Sequence, residues 1–252
     1  MTLSVDTLTI DCHDPKLLAD FWCAALGYRL DEIDEEGAAI EPASGPDWTM
    51  LFLVVPDEKV VKNRLHLDLR PRGSMASEVA RLEHLGGSPI TRVDEGGNFW
   101  TVMADPEGNE FCVLRGPEDG WSGEREMPLS VDTLLMDCHD PKLLADFWCA
   151  ALGYRLDHID EEDAVVEPAA GVVGWTMLFQ FVPEAKTVKN RLHLDLRPSG
   201  AMATEVARLE KDGASVIARI DQGGSFWTVM GDPEGNEFCV LRGPEDGWSG
   251  EL

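Results

Sequence analysis

Hydrophobic and polar residues alternate from Ser4 to Cys12, which predicts a strand with one buried face. Asp14 and Pro15 then supply an N-cap and a first-turn proline, which predict the start of a helix. Gly27 predicts its end, because glycine commonly follows the last helical turn. The apolar positions between them, at helical spacing, are Leu17, Leu18, Phe21, Trp22, Ala25 and Leu26.

Three shorter strands are predicted after this helix, and the same order of elements then begins again. The strands cover Tyr28 to Ile33, Ala38 to Glu41 and Trp48 to Val55. The second set has a strand at Leu65 to Arg70, a helix from Met75 to Leu85, and strands at Pro89 to Val93, Phe99 to Ala104 and Glu110 to Leu114. Each set is a βαβββ module.

The two modules occur twice in the chain. The segment DCHDPKLLADFWCAALGYRLD begins at Asp11 and again at Asp137, and KNRLHLDLRP begins at Lys62 and at Lys189, so the period is about 126 residues. Each copy is large enough to fold alone. We predict two domains, residues 1–125 and 126–252, with the junction at 125–128; the pattern leaves open whether modules pair within or across the repeats.

The composition limits the classes of partner that the chain is expected to bind. The chain of 252 residues has 21 basic and 47 acidic residues, a formal charge of -26, and therefore repels nucleic acid and anionic lipid. It lacks an apolar run of about 18 residues and a targeting signal at its start, so we expect a soluble, cytoplasmic protein. The six cysteines occupy three mirrored positions without CxxC spacing, and we expect reduced thiols.

Three motifs together carry a resemblance to a known family. The helix end FWCAALGY, the strand NRLHLDLRP and the turn DPEGNEFCVL follow one another in both copies. In this order the chain resembles the vicinal oxygen chelate superfamily, in its glyoxalase-like branch. The resemblance implies an α+β fold in which four βαβββ modules form curled mixed sheets around cavities. It also implies that a fused pair of domains acts as a pseudo-dimer within one chain.

The strand RLHLDLR carries the candidate catalytic residues. Its leucines alternate with polar residues, so one face is apolar and the other gathers an imidazole, a carboxylate and guanidinium groups. We predict that His66 and Asp68 act as ligand, acid or base, and that His193 and Asp195 do so in the second copy. An ordinary half-exposed strand is the alternative, since residues two apart on a strand lie roughly 7 Å apart.

The resemblance places His66 at a position where the superfamily often has a metal-ligating histidine. The other metal positions of the family depart from histidine and glutamate and fall on Thr7, Thr133, Leu53, Gln180, Cys112 and Cys239. Because leucine offers no donor, we expect no metal and no cofactor, with a divalent metal as the alternative. The pairs Leu53 with Gln180 and Thr9 with Leu135 differ between the copies, which indicates that the two sites need not be chemically equal.

Aromatic and basic residues complete the predicted ligand sites. Tryptophans near strand ends are candidates for a wall around a planar ligand, although ordinary packing is the alternative. An arginine on each candidate strand is a candidate for holding an anionic group, although pairing with nearby carboxylates is the alternative. These residues are Trp48, Trp100, Arg70, Trp175, Trp227 and Arg197.

Three functions remain open from the sequence. The first is a small-molecule-binding protein that holds a compact aromatic or anionic organic ligand, in a sequestration or resistance role. The second is an enzyme of the same superfamily, a lyase, an isomerase or a dioxygenase-like activity. The third is a regulatory or scaffold module whose cavities no longer bind a ligand.

Overall fold

A computed structural model describes residues 3–44, 48–122 and 129–250. The first module contains β1 (Leu3–Cys12), α1 (Pro15–Leu26), β2 (Tyr28–Ile33), β3 (Gly37–Pro42) and β4 (Thr49–Val54). The second contains β5 (Leu65–Pro71), α2 (Met75–His84), β6 (Ser88–Glu95), β7 (Asn98–Ala104) and β8 (Glu110–Leu114). The predicted α+β class with βαβββ modules is confirmed.

The second repeat has the same order of elements. Its first module contains β9 (Leu129–Cys138), α3 (Pro141–Leu152), β10 (Tyr154–Ile159), β11 (Asp163–Pro168) and β12 (Thr176–Phe181). Its second module contains β13 (Leu192–Pro198), α4 (Met202–Lys211), β14 (Ser215–Gln222), β15 (Ser225–Gly231) and β16 (Glu237–Leu241). In the described part of the chain, no helix has the length and hydropathy that crossing a membrane requires.

The chain divides into two compact units. Unit 1 consists of Met1–Thr9 and Met136–Leu252, and unit 2 consists of Ile10–Leu135. The boundaries lie inside β1 and β9, so each of these strands contributes residues to both units. The domains 1–125 and 126–252 stay a prediction, and the predicted junction at 125–128 lies outside the described residues.

The strands belong to two mixed sheets. In unit 1 the strand order is β14-β15-β16-β13, followed by the part of β1 that belongs to this unit. In unit 2 the corresponding order is β6-β7-β8-β5, followed by the part of β9 that belongs to this unit. Strands β13 and β16 are parallel, as are β5 and β8, and the neighbouring hairpin pairs are antiparallel. First strands of modules from different repeats are thus neighbours within each unit.

Helix α1 shows why the local sequence predicts this architecture well. The Asp14 carboxylate accepts the N–H of Leu17, and Gly27 adopts φ 74°, a left-handed conformation, while its N–H donates to the Cys23 carbonyl. The buried face of the helix places Trp22 edge-on to Phe111 of β8, with ring centroids 5.3 Å apart. Helix α1 therefore covers the back of the strand that carries Cys112.

Hydrogen bonds of one arginine connect the two helices of unit 2. Arg81 on α2 donates to Glu78 one turn earlier and to the carbonyls of Ala24 and Ala25, which are the last turn of α1. Terminal helix carbonyls lack partners within the helix, so the guanidinium satisfies two of them. Arg208 makes the equivalent contacts in unit 1.

Candidate functional site

The parallel pairing of β5 with β8 creates the candidate site of unit 2. The register aligns Asp68 with Cys112, and it aligns the flanking Leu67 and Leu69 with Phe111 and Val113. Side chains alternate along both strands, so the polar pair shares one face of the sheet while the apolar pairs share the other. Two segments far apart in sequence thereby place a carboxyl group and a thiol side by side.

His66 joins this pair to form a buried cluster. Its Nε2 lies 3.7 Å from Asp68 Oδ1, and the possible ligand atoms of His66, Asp68 and Cys112 all lie within 4.8 Å of one another. All three residues are buried. The sequence placed the residues roughly 7 Å apart along the strand, and the side chains close that gap by leaning toward each other.

Unit 1 repeats the cluster with His193, Asp195 and Cys239. The parallel register of β13 with β16 aligns Asp195 with Cys239, and His193 Nε2 lies 3.5 Å from Asp195 Oδ1. The possible ligand atoms of these three buried residues again lie within 4.8 Å of one another. Among the described residues, each unit therefore contains a His–Asp–Cys cluster.

Burial keeps the groups of the first cluster close to neutral. Desolvation, with a smaller contribution from the Lys62 charge, lowers the pKa of His66 to about 3. Desolvation also raises the pKa of Asp68 to about 7, although a hydrogen bond from Cys112 acts in the opposite direction. At neutral pH the imidazole is therefore uncharged, and burial shifts the carboxyl group toward its protonated form.

The clusters retain polar atoms that the protein does not satisfy. Within the described residues, His66 Nδ1 and Asp68 Oδ1 are buried without a hydrogen-bond partner, and so are His193 Nδ1 and Asp195 Oδ1. A buried polar atom without a partner costs about 1–3 kcal/mol. Both units therefore contain a histidine and an aspartate whose missing hydrogen bonds lower stability.

The second cluster has an additional contact that sequence reasoning did not assign to the site. Thr9 on β1 donates its hydroxyl hydrogen to Asp195 Oδ2 at 2.9 Å. Burial raises the pKa of Asp195, whereas the nearby His193 and the Thr9 hydrogen bond lower it. The equivalent position on β9 is Leu135, which is buried and offers no donor. The difference between these two residues was the only signal in the sequence.

The two candidate anion-binding arginines already have carboxylate partners. Arg70 forms a bidentate pair with Asp132, donates to the Arg115 carbonyl and lies 4.5 Å from the ring centroid of Trp121. Arg197 makes the equivalent contacts with Asp6, the Arg242 carbonyl and Trp248. Sequence reasoning did not identify these two aspartates as partners. A role of Arg70 and Arg197 in binding a ligand stays a prediction.

The remaining predicted site residues lie at or near strands. Thr7 is buried on β1, whereas Thr133 on β9 and Leu53 on β4 are half-buried and Gln180 on β12 is exposed. The two tryptophans that precede β4 and β12 are buried, and the two on β7 and β15 are half-buried; in chain order these four residues are Trp48, Trp100, Trp175 and Trp227. Their ligand-binding roles also stay predictions.

The donor atoms of each cluster fit zinc better than Mg²⁺ or Ca²⁺. Imidazole nitrogen, carboxylate oxygen and thiolate sulfur are the three ligand types of protein zinc sites. Mg²⁺ and Ca²⁺ prefer several oxygen ligands, and each cluster supplies one carboxyl group. In unit 2 the residues that would hold a zinc-type ion are His66, Asp68 and Cys112, and the buried Asp68 Oδ1 lacks a hydrogen bond that would compete.

Comparison with models of protein families identifies the family of this chain. The family model described as a glyoxalase-like domain matches residues 7–114 and again residues 133–241. The chain belongs to the glyoxalase-like family. The predicted resemblance, with two tandem domains of this type, is therefore confirmed. No curated protein matches the chain.

Solved structures share the fold of this glyoxalase-like protein. Glyoxalase I from Zea mays aligns with a TM-score of 0.69 at 12% identity, and the alignment covers 96% of this chain and 92% of the maize chain. A proposed dioxygenase from Bacillus subtilis subsp. subtilis str. 168 aligns with a TM-score of 0.64 at 16% identity, covering 95% and 85% of the respective chains. At these identities the likeness establishes the fold alone.

Proposed function

We propose that this glyoxalase-like protein binds a small organic molecule, with one site at each His–Asp–Cys cluster. The supporting observation is the pair of buried, unsatisfied atoms at each site, on His66 and Asp68 and on His193 and Asp195. A polar ligand that donates to Asp68 Oδ1 and pairs with His66 Nδ1 would recover the lost hydrogen-bond energy. Such binding suits a sequestration or resistance role.

The charges of the site define the ligand class. The guanidinium groups of Arg70 and Arg197 are bound to aspartates, and the chain as a whole is strongly acidic. Because His66 is uncharged at neutral pH, the cluster of unit 2 favours a hydrogen-bonding group over a full anion. We therefore expect an aromatic compound with hydroxyl or amide groups to bind more strongly than a simple carboxylate.

Thermal unfolding tests this proposal directly. The full chain, kept in chelator, is screened against aromatic antibiotics and against small carboxylates, and a ligand that binds the native state raises Tm. We expect a concentration-dependent rise with members of the aromatic group. The rise should disappear in the double variant His66→Leu with His193→Leu, and it should remain in the control His84→Leu, because His84 is exposed on α2.

Two results would contradict ligand binding at the clusters. One is a Tm that no compound of either group changes, which would favour the scaffold function. The other is a rise that persists in the double histidine variant. Circular dichroism checks that this variant is folded, and Asp68→Asn with Asp195→Asn is a second pair that keeps the side-chain volume.

An enzyme of the same superfamily is the second candidate function. The observation that favours it is the distance between an acid and a base, 3.7 Å in one unit and 3.5 Å in the other. A carboxyl group and an imidazole at this distance can transfer protons to and from a substrate in a lyase or isomerase reaction. Turnover of a compound identified by the Tm screen would favour this candidate if the turnover is lost in the double variant Asp68→Asn with Asp195→Asn. A compound that stays unchanged would exclude enzymatic activity on that compound.

A further inference from the structure

Three large apolar side chains are exposed at equivalent positions of the two repeats. Two lie on the second strand of each first module and one at the end of the fourth strand, and each residue is between 37% and 45% exposed. These residues are Leu30, Ile33 and Val54 in unit 2, and Leu156, Ile159 and Phe181 in unit 1. A single exposed apolar residue is ordinary, whereas a contiguous group indicates a binding surface.

The pairing of β2 with β3 places two of these side chains on one face of the sheet. Leu30 is opposite Ile40, and Ile33 is opposite Ala38. Ile40 and Ala38 are two residues apart on β3, so they point the same way, and both are buried. A bulge between Leu30 and Glu32 brings Ile33 onto the same face as Leu30. The two exposed side chains therefore continue a buried apolar layer to the edge of the sheet.

The same face continues to the end of β4. Ala38 is opposite Phe52, which is fully buried, and Val54 follows Phe52 by two residues and points the same way. The Val54 N–H donates to the Glu36 carbonyl at 2.9 Å, which holds this strand end beside the turn that follows β2. The three exposed side chains of unit 2 therefore share one face, and we call them its apolar patch.

Unit 1 has an apolar patch of the same construction. Leu156 and Ile159 are opposite two buried residues of β11 that point the same way. The Phe181 N–H donates to the Glu162 carbonyl at 2.8 Å, as Val54 does to Glu36. Each unit therefore exposes an apolar patch beside the turn between its second and third strands.

Carboxylates lie next to each apolar patch. Residues 31–36 include five acidic residues and no lysine or arginine, and residues 157–163 include five acidic residues and one histidine. All of residues 31–36 and 157–162 are exposed. The nearest arginines on β2 and β10 are paired, Arg29 with Glu41 and Arg155 with Glu167. The surface around each patch is therefore negatively charged.

The strands β2 and β10 are also edge strands. They pair with β3 and β11, and within the described residues neither has a strand on its other side. The backbone groups of an edge strand can pair with an added chain. A second copy of this acidic protein would bring like charges to the edge, which opposes self-association, whereas a positively charged partner is attracted.

We propose that each apolar patch, with the acidic residues beside it, is a docking surface for a basic segment of another protein that also carries apolar side chains. Apolar side chains of the partner would cover the patch, and its lysine or arginine side chains would pair with the carboxylates of the adjoining turn. This inference goes beyond the binding of an organic molecule and does not depend on the His–Asp–Cys clusters.

A fluorescein-labelled short peptide in which lysine alternates with leucine is the probe. Fluorescence anisotropy measures its binding to the full chain, and we expect two peptides per chain. A peptide in which serine replaces leucine keeps the charge and should bind at least about 10-fold more weakly, because it buries no leucine side chain. Binding of the leucine peptide should weaken as the salt concentration rises.

Serine substitutions locate the bound peptide. Leu30→Ser with Ile33→Ser should leave one peptide per chain, and the corresponding serine changes at Leu156 and Ile159 should remove the other. The control is Ile90→Ser with Ile217→Ser, which should change neither site. These two control residues are exposed on β6 and β14, outside the apolar patches.

Charge substitutions test the acidic part of the surface. Glu35→Lys with Glu36→Lys should weaken peptide binding in unit 2 by about 10-fold. Glu83→Lys with Glu210→Lys makes the same change in net charge at exposed positions of α2 and α4 and should have a smaller effect. Glu35 and Glu36 lie in a turn between strands, so their variant tests the proposal even if a serine variant does not fold.

Three outcomes would overturn the inference. Equally strong binding of the serine peptide would show attraction by charge alone. Binding of two peptides per chain that persists in the variant with all four serine changes would exclude the apolar patches. Self-association of the wild type in sedimentation, lost in the variant Leu30→Ser with Ile33→Ser, would assign the surface to a second copy of this chain.

Discussion

Asp232 offers a quantitative test of how burial acts on a carboxyl group outside the clusters. It lies in the turn between β15 and β16, where Oδ1 accepts the N–H groups of Glu234 and Asn236, and Oδ2 accepts from the Asn236 side chain and from Trp148. Despite these hydrogen bonds, burial raises the pKa of Asp232 to about 6. Asp232→Asn keeps the size of the side chain and removes its titration.

The raised pKa fixes the sign and the magnitude of the effect. Between about pH 4 and pH 6 the folded state holds a proton on Asp232 that the unfolded state has lost, so the free energy of unfolding falls as pH rises through this window. The stabilisation is present below the unfolded pKa of 3.8 and is lost above about 6. A shift of about two units corresponds to about 3 kcal/mol.

Urea unfolding at a series of pH values from about 4 to 7 measures this term as the difference between wild type and Asp232→Asn. We expect the free energy of unfolding of the wild type, relative to that of Asp232→Asn, to decrease by about 3 kcal/mol as pH rises. Asp105→Asn, the matched change in unit 2, should act in the same direction, because burial also raises the pKa of Asp105. A difference that is constant, or that grows with pH, would refute the dominance of desolvation over the hydrogen bonds.

Three further substitutions probe a contact between helices, a tight turn and a helix N-cap. Arg81→Ala should lower the free energy of unfolding by about 2–4 kcal/mol, because it leaves Glu78 without its guanidinium partner. In urea unfolding, the double variant with Glu78→Ala should lose less stability than the two single variants lose together. Gly116→Ala should cost at least about 2 kcal/mol and shift Tm downward, since a Cβ there would lie 1.9 Å from the Gly73 carbonyl oxygen; an unchanged Tm would contradict this. Ala201→Ser should raise the free energy of unfolding by about 1 kcal/mol, because α4 lacks the side-chain N-cap that α2 has, and no gain in urea would count against that reason.

The elements of the fold could be predicted from the sequence because their signals are local. Asp14 and Gly27 bound the first helix as predicted, and the predicted strand from Glu110 to Leu114 has the observed bounds. Strand ends were less accurate at exposed edges: Pro89 to Val93 was predicted, whereas β6 runs from Ser88 to Glu95. An edge strand lacks a strong burial pattern, so its ends have a weak signal.

The clusters could be predicted only in part. His66 and Asp68 were identified because they alternate with leucines on one strand, and Cys112 was placed by the family resemblance. The partners on neighbouring first strands were not identified: Thr9 lies 186 residues from Asp195 along the chain, and Asp132 lies 62 residues from Arg70. Strand order and register determine such contacts, and local patterns do not encode the register between distant strands.

The feature that distinguishes the sites of the two nearly identical repeats lies outside the clusters. The three cluster residues are the same in both copies, so these residues alone do not distinguish the two sites. Their difference arises on the adjacent strand, where Thr9 supplies a hydrogen bond that Leu135 cannot supply. In a buried site one such hydrogen bond changes how a carboxylate is oriented and charged, because water is not present to replace it. A duplicated chain can therefore acquire two chemically different sites through a substitution outside the cluster that its two copies share.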